Sequence, residues 1–304
     1  MHTYIYDKYG YLVEDEFTRE FIYKQWKFKL EANNKSELEL IELNRFIIDL
    51  DNLLFKRGVR IITSKDNRLS SDSEYGQLSL VGVNQFNVSL TDVLLIHKNY
   101  RTNLDGNTSV FLSTIKELWS SKVDNVESKI IPSLKIDNFI YEKAIVSIIQ
   151  SIGLAENAIS YLQDTIIDFG DKITELTLTH KRITSLDSYE LLNPFNLIID
   201  SPMRDISDLY KIDIVNEKNI DQVLNSYSMD KQKASILMAR ILYPTKLFDL
   251  LEEHYNLKKD IRKEIITYSK EIDKMMNKIN YIHNYLVNRY GIRPINWLLL
   301  KWGN

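Results

Sequence analysis

Residues 176–210, LTLTHKRITSLDSYELLNPFNLIIDSPMRDISDLY, decide how the rest of the chain is read. The apolar LTL reads as a short strand running into His180, and a second apolar run, LIID, ends in Asp200, thirteen residues beyond Asp187. Asp187 and Asp200 are oxygen ligands of the type that can share a divalent cation, although carboxylates on loops are more often solvated surface groups. Arg182 stays protonated at any working pH, so it can bind an anion but cannot accept a substrate proton. His180 reads as a hydrogen-bonded loop histidine, because no second histidine stands nearby to make a metal pair. RDISDLY reads as the opening of the next helix, with Asp205 favoured near its N-terminus by the helix dipole.

Just upstream, Asp168–Gly170 spells DFG, the triplet with which protein kinases hold magnesium. In a kinase the catalytic His-Arg-Asp loop precedes that triplet, and nothing of the kind precedes this one. The triplet is therefore an ordinary turn in which Gly170 supplies backbone freedom. GLAENAISYLQD, residues 153–164, carries Leu154, Ala158, Ile159 and Leu162 at helical spacing and reads as an amphipathic helix.

Towards the N-terminus, FTREFIYKQWKFKL (17–30) reads as one strand, with Trp26, Phe28 and Leu30 on one face and Gln25, Lys27 and Lys29 on the other. A helix follows, opened by Ser36 and Glu39 as a capping box, carried by Leu40, Leu43, Ile47, Leu50 and Leu54, and closed at Gly58. Short strands separated by SKDN and DSEYG complete a β-rich region, and the character changes near 83–89. Helices are predicted over 110–119, 139–150 and 153–162, and through most of 220–290. Ile261, Ile265, Tyr268, Ile272, Met275, Ile279, Ile282 and Leu286 recur at alternating spacings of four and three, the stripe of a helix packed within its own domain or of a coiled-coil homodimer. Gly291 and Pro294 end that helix.

Composition narrows the function classes. Thirty-nine basic residues balance 42 acidic ones, so no global field draws the chain to nucleic acid or to an anionic membrane. The absence of cysteine removes disulfides, thiolate metal sites and cysteine nucleophiles. Neither G-x-G-x-x-G nor G-x-x-x-x-G-K-[ST] occurs, so the common phosphate-cradling loops are missing. The N-terminal residues lack the pattern of a signal peptide, and the apolar runs read as too short to cross a bilayer, which makes synthesis and retention in the cytoplasm the expectation.

The segment 176–210 resembles kinase-fold small-molecule phosphotransferases such as the aminoglycoside and choline kinases, in which a His-Gly-Asp loop is followed by an Asn and then by Ile-Asp. The resemblance sets His180 at the loop histidine, Arg182 at the catalytic aspartate, Asp187 at the metal-binding asparagine and Asp200 at the magnesium-binding aspartate. It also makes Lys27 the candidate phosphate-pairing lysine, Glu39 or Glu42 its helix partner, and gives Arg204 or Asp205 a structural role. IGLAENAISYLQDT, THKRI, DSPMRDISDLY and ARILYPTKLFDLLEEHY resemble, more narrowly, the YutH type of spore coat protein, a kinase-like group of endospore-forming bacteria whose loop also departs from His-x-Asp.

The resemblance implies an α+β, bilobal protein-kinase-like fold, with a small β-rich N-lobe over 1–86 and a large helical C-lobe over 87–304. It further implies a non-catalytic structural or interaction component of the spore coat, made in the mother cell, with other coat proteins as partners and no cofactor. The alternative is a divergent phosphotransferase using ATP and magnesium. Neither reading requires nucleic acid or a membrane, and a homodimer through the helix Ile261 to Leu286 is compatible with both.

Overall fold

A computed structural model describes residues 2–13, 19–54, 58–74, 76–84, 87–100, 110–134, 139–173 and 175–299. The chain begins with α1 (His2–Tyr9), β1 (Glu20–Tyr23), β2 (Trp26–Ala32), α2 (Glu37–Leu53), β3 (Val59–Ile62), β4 (Ser71–Ser73), β5 (Gly76–Asn84) and α3 (Leu90–Asn99). Then come β6 (Val110–Phe111) and α4 (Leu112–Asn125), which runs through a π-helical turn into α5 (Ile131–Ser133), and the long α6 (Phe139–Phe169). After β7 (Lys172–Ile173) the opening segment supplies β8 (Thr177–His180), α7 (Ser188–Leu192), β9 (Leu197–Asp200) and α8 (Met203–Lys211). The chain closes with α9 (Ile220–Asn225), α10 (Lys231–Leu242), α11 (Thr245–Leu257), α12 (Arg262–Tyr290) and α13 (Asn296–Leu299).

Two compact units result, one of residues 1–101 with 177–199, the other of 102–176 with 200–304. The boundary expected at 86/87 is therefore displaced, and the first unit is discontinuous in sequence. The reason is burial: Ile96 of α3, Leu178 of β8, and Tyr189 and Leu192 of α7 share one apolar core with α2 and the sheet.

In the first unit the strands form an antiparallel sheet in the order β1-β2-β5-β3, with β4 also on β5. The single strand predicted over 17–30 is a hairpin. Tyr23 pairs with Trp26, and Lys24, at φ 56°, makes the sharp turn. The period of two along β2 sends Phe28 and Leu30 into a core with Ile5, Tyr9, Leu78 and Leu80, beneath α1. Gly82 stands directly opposite Phe28, and a Cβ there would lie 2.7 Å from the ring. The other face of the sheet, Val81 and Val83, packs on Leu40, Ile47, Leu50 and Leu54 of α2. The predicted capping box is present: Glu39 N donates to Ser36 Oγ, and Ser36 N donates to the Glu39 carboxylate. Buried Asp51 closes the far end of α2 by accepting from Gly58 N (2.6 Å) and Arg60 Nη1 (2.8 Å).

Among its described residues the second unit is mainly helical, with the short β6–β7 pair. Its centre is α10, in which every residue from Lys233 to Leu242 is buried, the pattern of a helix surrounded by others. α6, α8 and α12 pack around it. α6 is continuous across Gly153, so the two helices predicted over 139–150 and 153–162 are one. Its stretch Ile145–Phe169 is, among the described residues, the one helix long and apolar enough by length and composition to cross a bilayer, which corrects the reading of the apolar runs; half of it is buried within this unit. Most of the heptad stripe packs within the chain: Ile261, Ile265, Tyr268, Ile279, Ile282 and Leu286 are buried, and the Tyr268 hydroxyl lies 3.0 Å from Ser151 Oγ on α6. Ile272 and Met275 of the same stripe are half-buried. α12 ends at Gly291 (φ 63°), as predicted.

Candidate functional site

α7 is the element that shapes the predicted site. Asp187 is its N-cap, accepting from Tyr189 N (2.9 Å) and Glu190 N (3.3 Å) through one carboxylate oxygen. Glu190 in turn accepts from the backbone N–H and hydroxyl of Thr184 and from Ser185 Oγ, which ties the loop after β8 to the helix. Asn196 donates to the carbonyls of Arg182 and Glu190, both at 2.9 Å, and its Oδ1 accepts from Arg182 N. His180 lies beneath this loop, completely buried, with Nε2 2.9 Å from the Leu191 carbonyl. It anchors the loop and has no access to a substrate.

The helix so fixed places Tyr189 against the β2 residues that point away from α1. The Tyr189 hydroxyl donates to Glu31 Oε1 (2.9 Å), which also accepts from Asn193 Nδ2 (2.8 Å). Lys27 Nζ and Lys29 Nζ stand 5.6 and 5.8 Å from the centre of the Tyr189 ring. Burial, reinforced by the charge of Glu31, pushes the Tyr189 phenol far above its ordinary value, so it acts only as a neutral hydrogen-bond donor. Ser188 Oγ donates to the Asn84 carbonyl at the end of β5 (3.2 Å). Around these groups is a polar cavity of about 570 Å3 whose lining includes Lys27, Lys29, Arg182, Asp187 and Tyr189.

The structure thus brings Lys27, Arg182 and Asp187 to one cavity and seals His180 below it. It does not pair Lys27 with α2. Lys27 Nζ stands 3.7 Å from Glu20 on β1, while Glu39 is committed to its capping box. Protein kinases cover the phosphates with a glycine-rich loop. Here the β1–β2 turn is Lys24–Gln25 alone, too short to wrap a phosphate chain.

Asp200 belongs to the second unit and is 3 % exposed. Arg240 Nη2 donates to both of its carboxylate oxygens (3.0 and 2.8 Å), Arg204 Nη1 to Oδ2 (2.9 Å) and Ser201 N to Oδ1 (2.6 Å). Burial lowers the Arg240 guanidinium from its ordinary value, and the charge of Asp200 opposes that shift. The residues present do not fit a magnesium ion. Asp187 caps a helix, Asp200 faces two guanidinium groups, and among the described residues no group of three or more His, Cys, Asp or Glu side chains is placed to hold a metal.

Sequence reasoning missed Tyr189, Glu31 and Arg240. Tyr189 and Asn193 flank Leu191 and Leu192 as ordinary polar neighbours of an apolar pair, and Arg240 lies forty residues from Asp200. The short SYELL after a possible cap at Asp187 was the one available signal for α7.

The fold is the kinase-like fold of the aminoglycoside phosphotransferases. The crystal structure of a spectinomycin phosphotransferase in complex with ADP and spectinomycin is similar at a TM-score of 0.51 and 12% identity, over 89% of this chain and 92% of that one. An aminoglycoside phosphotransferase from Alicyclobacillus acidocaldarius gives 0.49 at 8% identity, over 90% and 92% of the two chains. Residues 2–288 match the family described as "Spore coat putative kinase YutH", and the chain belongs to that family. Comparison with curated protein sequences gives no match.

Proposed function

We propose that this protein is a non-catalytic, kinase-like component of the bacterial spore coat, made in the mother cell and working through contacts with other coat proteins. The observation that carries this reading is α7. A segment that the family resemblance would use to hold a metal and a substrate instead folds as a helix, takes Asp187 as its cap and sets Tyr189 beside Lys27 and Lys29. Phosphoryl transfer is mostly positioning and charge stabilisation, so a cavity in which one oxygen of Asp187 is taken by the cap of α7 has less to offer the metal of a nucleotide. Arg182 supports the same reading, since a guanidinium at the position of the base cannot accept a hydroxyl proton. No nucleotide or metal is required for such a role. The spore coat assignment comes from the family.

One observation favours the divergent ATP- and magnesium-dependent phosphotransferase. Lys27, Lys29, Arg182 and Asp187 do share one cavity, and a similar fold is known with ADP bound. Calorimetric titration with ATP, with and without magnesium, separates the two readings. The expected result is no binding at millimolar nucleotide. Magnesium-dependent binding that is lost in Asp187→Ala or Asp200→Ala overturns the scaffold reading. In sporulating cells, Arg182→Ala protein is expected to reach the coat as the wild type does.

A further inference from the structure

The second unit has a cavity of its own, of about 540 Å3, walled by α6, α12 and α13, and it shares no lining residue with the one that holds Lys27 and Arg182. Buried Leu154 and Leu298, with half-buried Met276 and Trp297, make its apolar part, while the lining residues Gln150, Asp273 and Asn277 are exposed and mark its mouth. Two hydrogen bonds fix the indole: Trp297 Nε1 donates to Asn157 Oδ1 (3.0 Å), and Asn157 Nδ2 donates to the Gly153 carbonyl (2.7 Å). Gly153 stands in the middle of α6, although glycine weakens a helix interior. No positive φ calls for it, and a Cβ there would meet nothing within 4 Å, so neither a turn nor close packing explains it. What the missing side chain leaves is open space on the cavity wall.

An apolar wall with a few polar groups at the rim, and a volume inside the range of about 300–1,000 Å3, is the anatomy of a small-molecule site and is more than one side chain of a partner protein would fill. Among the described residues no lysine, arginine or histidine lines the cavity, so an anion finds no counter-charge there. The Asp273 carboxylate and the amide oxygens of Gln150 and Asn277 are acceptors, and these three side chains have no hydrogen-bond or ion-pair partner among the described residues. We propose that this cavity binds a small organic molecule with a planar apolar body and an amine or hydroxyl as its polar end. The body lies against Leu154, Met276 and Trp297, with the unbranched Met276 adapting to its outline, and the polar end donates at the mouth, where Asp273 favours an amine over a hydroxyl.

Three probes that share an indole ring and differ in charge test this on the whole chain: tryptamine, the neutral alcohol tryptophol and the anion indole-3-acetate. Binding is followed by calorimetric titration and by the NMR signal of the Trp297 Nε1–H, identified by its loss in Trp297→Phe. Tryptamine and tryptophol are expected to saturate at or below about 1 mM, the affinity of a fragment of about a dozen atoms at ordinary efficiency, and to move the Trp297 signal, while indole-3-acetate does neither. Asp273→Asn is expected to weaken tryptamine about two- to fivefold, the worth of an exposed ion pair, and to leave tryptophol unchanged. Gly153→Leu puts a side chain into the cavity without a clash and is expected to keep the wild-type melting midpoint while weakening both ligands at least about tenfold. Should Gly153→Leu be recovered unfolded, Asn277→Trp, at an exposed lining position of α12, fills the same space and is expected to give the same loss. A wild type that binds neither tryptamine nor tryptophol, binding that survives in the folded filling variant, or indole-3-acetate binding as tightly as tryptamine overturns the proposal.

Discussion

Truncating Tyr189 to alanine tests whether α7 is held as a fixed part of the first unit. The ring is 5 % exposed and belongs to the core formed by α2, β3 and β5. Removing a buried aromatic side chain costs about 3–5 kcal/mol. Tyr189→Phe keeps the ring and deletes the hydroxyl that donates to Glu31. Glu31 then retains Asn193 at 2.8 Å and Lys29 at 3.7 Å, so the loss falls at the low end for a hydrogen bond to a charged group, about 1.5 kcal/mol. A cycle of Tyr189→Phe with Glu31→Gln is expected to show a coupling of about 1 kcal/mol, because the two groups touch. Urea unfolding gives the totals, and amide hydrogen exchange read on peptides covering β2 and α7 shows that the loss is local to the first unit. If Tyr189→Ala costs less than about 1 kcal/mol, or no more than Tyr189→Phe, α7 is not packed as described and the argument from a filled site fails.

Two further outcomes follow from packing and titration. Gly82→Ala places a Cβ 2.7 Å from the Phe28 ring and is expected to lower stability by about 1–3 kcal/mol in chemical denaturation, whereas Gly153→Ala, with nothing within 4 Å, should not destabilise. His283 on α12 is fully buried, accepts Ile295 N–H at Nε2 (2.9 Å), and burial lowers its pKa from the ordinary 6.5. The neutral ring is the folded form. Its contribution is therefore complete above pH 6.5 and is lost as pH falls through the lowered folded value. Urea midpoints measured across that range should fall in the wild type and stay flatter in His283→Gln.

Local signals carried much of the fold. The capping box at Ser36, the apolar stripe of α2, the alternation of Trp26, Phe28 and Leu30 and the Gly291 stop each depend on residues within one turn or one strand, and each appears in place. The hairpin turn was not legible because Lys24–Gln25 lacks the glycine or asparagine that advertises such turns, and the positive φ falls on a lysine. The continuity of α6 across Gly153 was equally hidden. A glycine costs a helix about 1 kcal/mol, and packing on α4, α10 and α12 outweighs that.

The candidate site divides along the same line. The sequence alone identified the strand ending in His180, the loop carrying Arg182 and Asp187, and the strand ending in Asp200, because order and spacing are properties of the chain. It also established that Arg182 cannot act as a base, since that follows from the chemistry of one side chain. Only the tertiary structure decided what the carboxylates do. Asp187 became a helix cap because Tyr189 and Leu192 found a core built by α2 and the sheet, more than a hundred residues earlier, and burial there fixed five residues as a helix. Asp200 became half of a buried ion pair because α10 brings Arg240 to it across forty residues. A carboxylate's function is set by the partner that compensates its desolvation, and that partner is chosen by packing between distant segments.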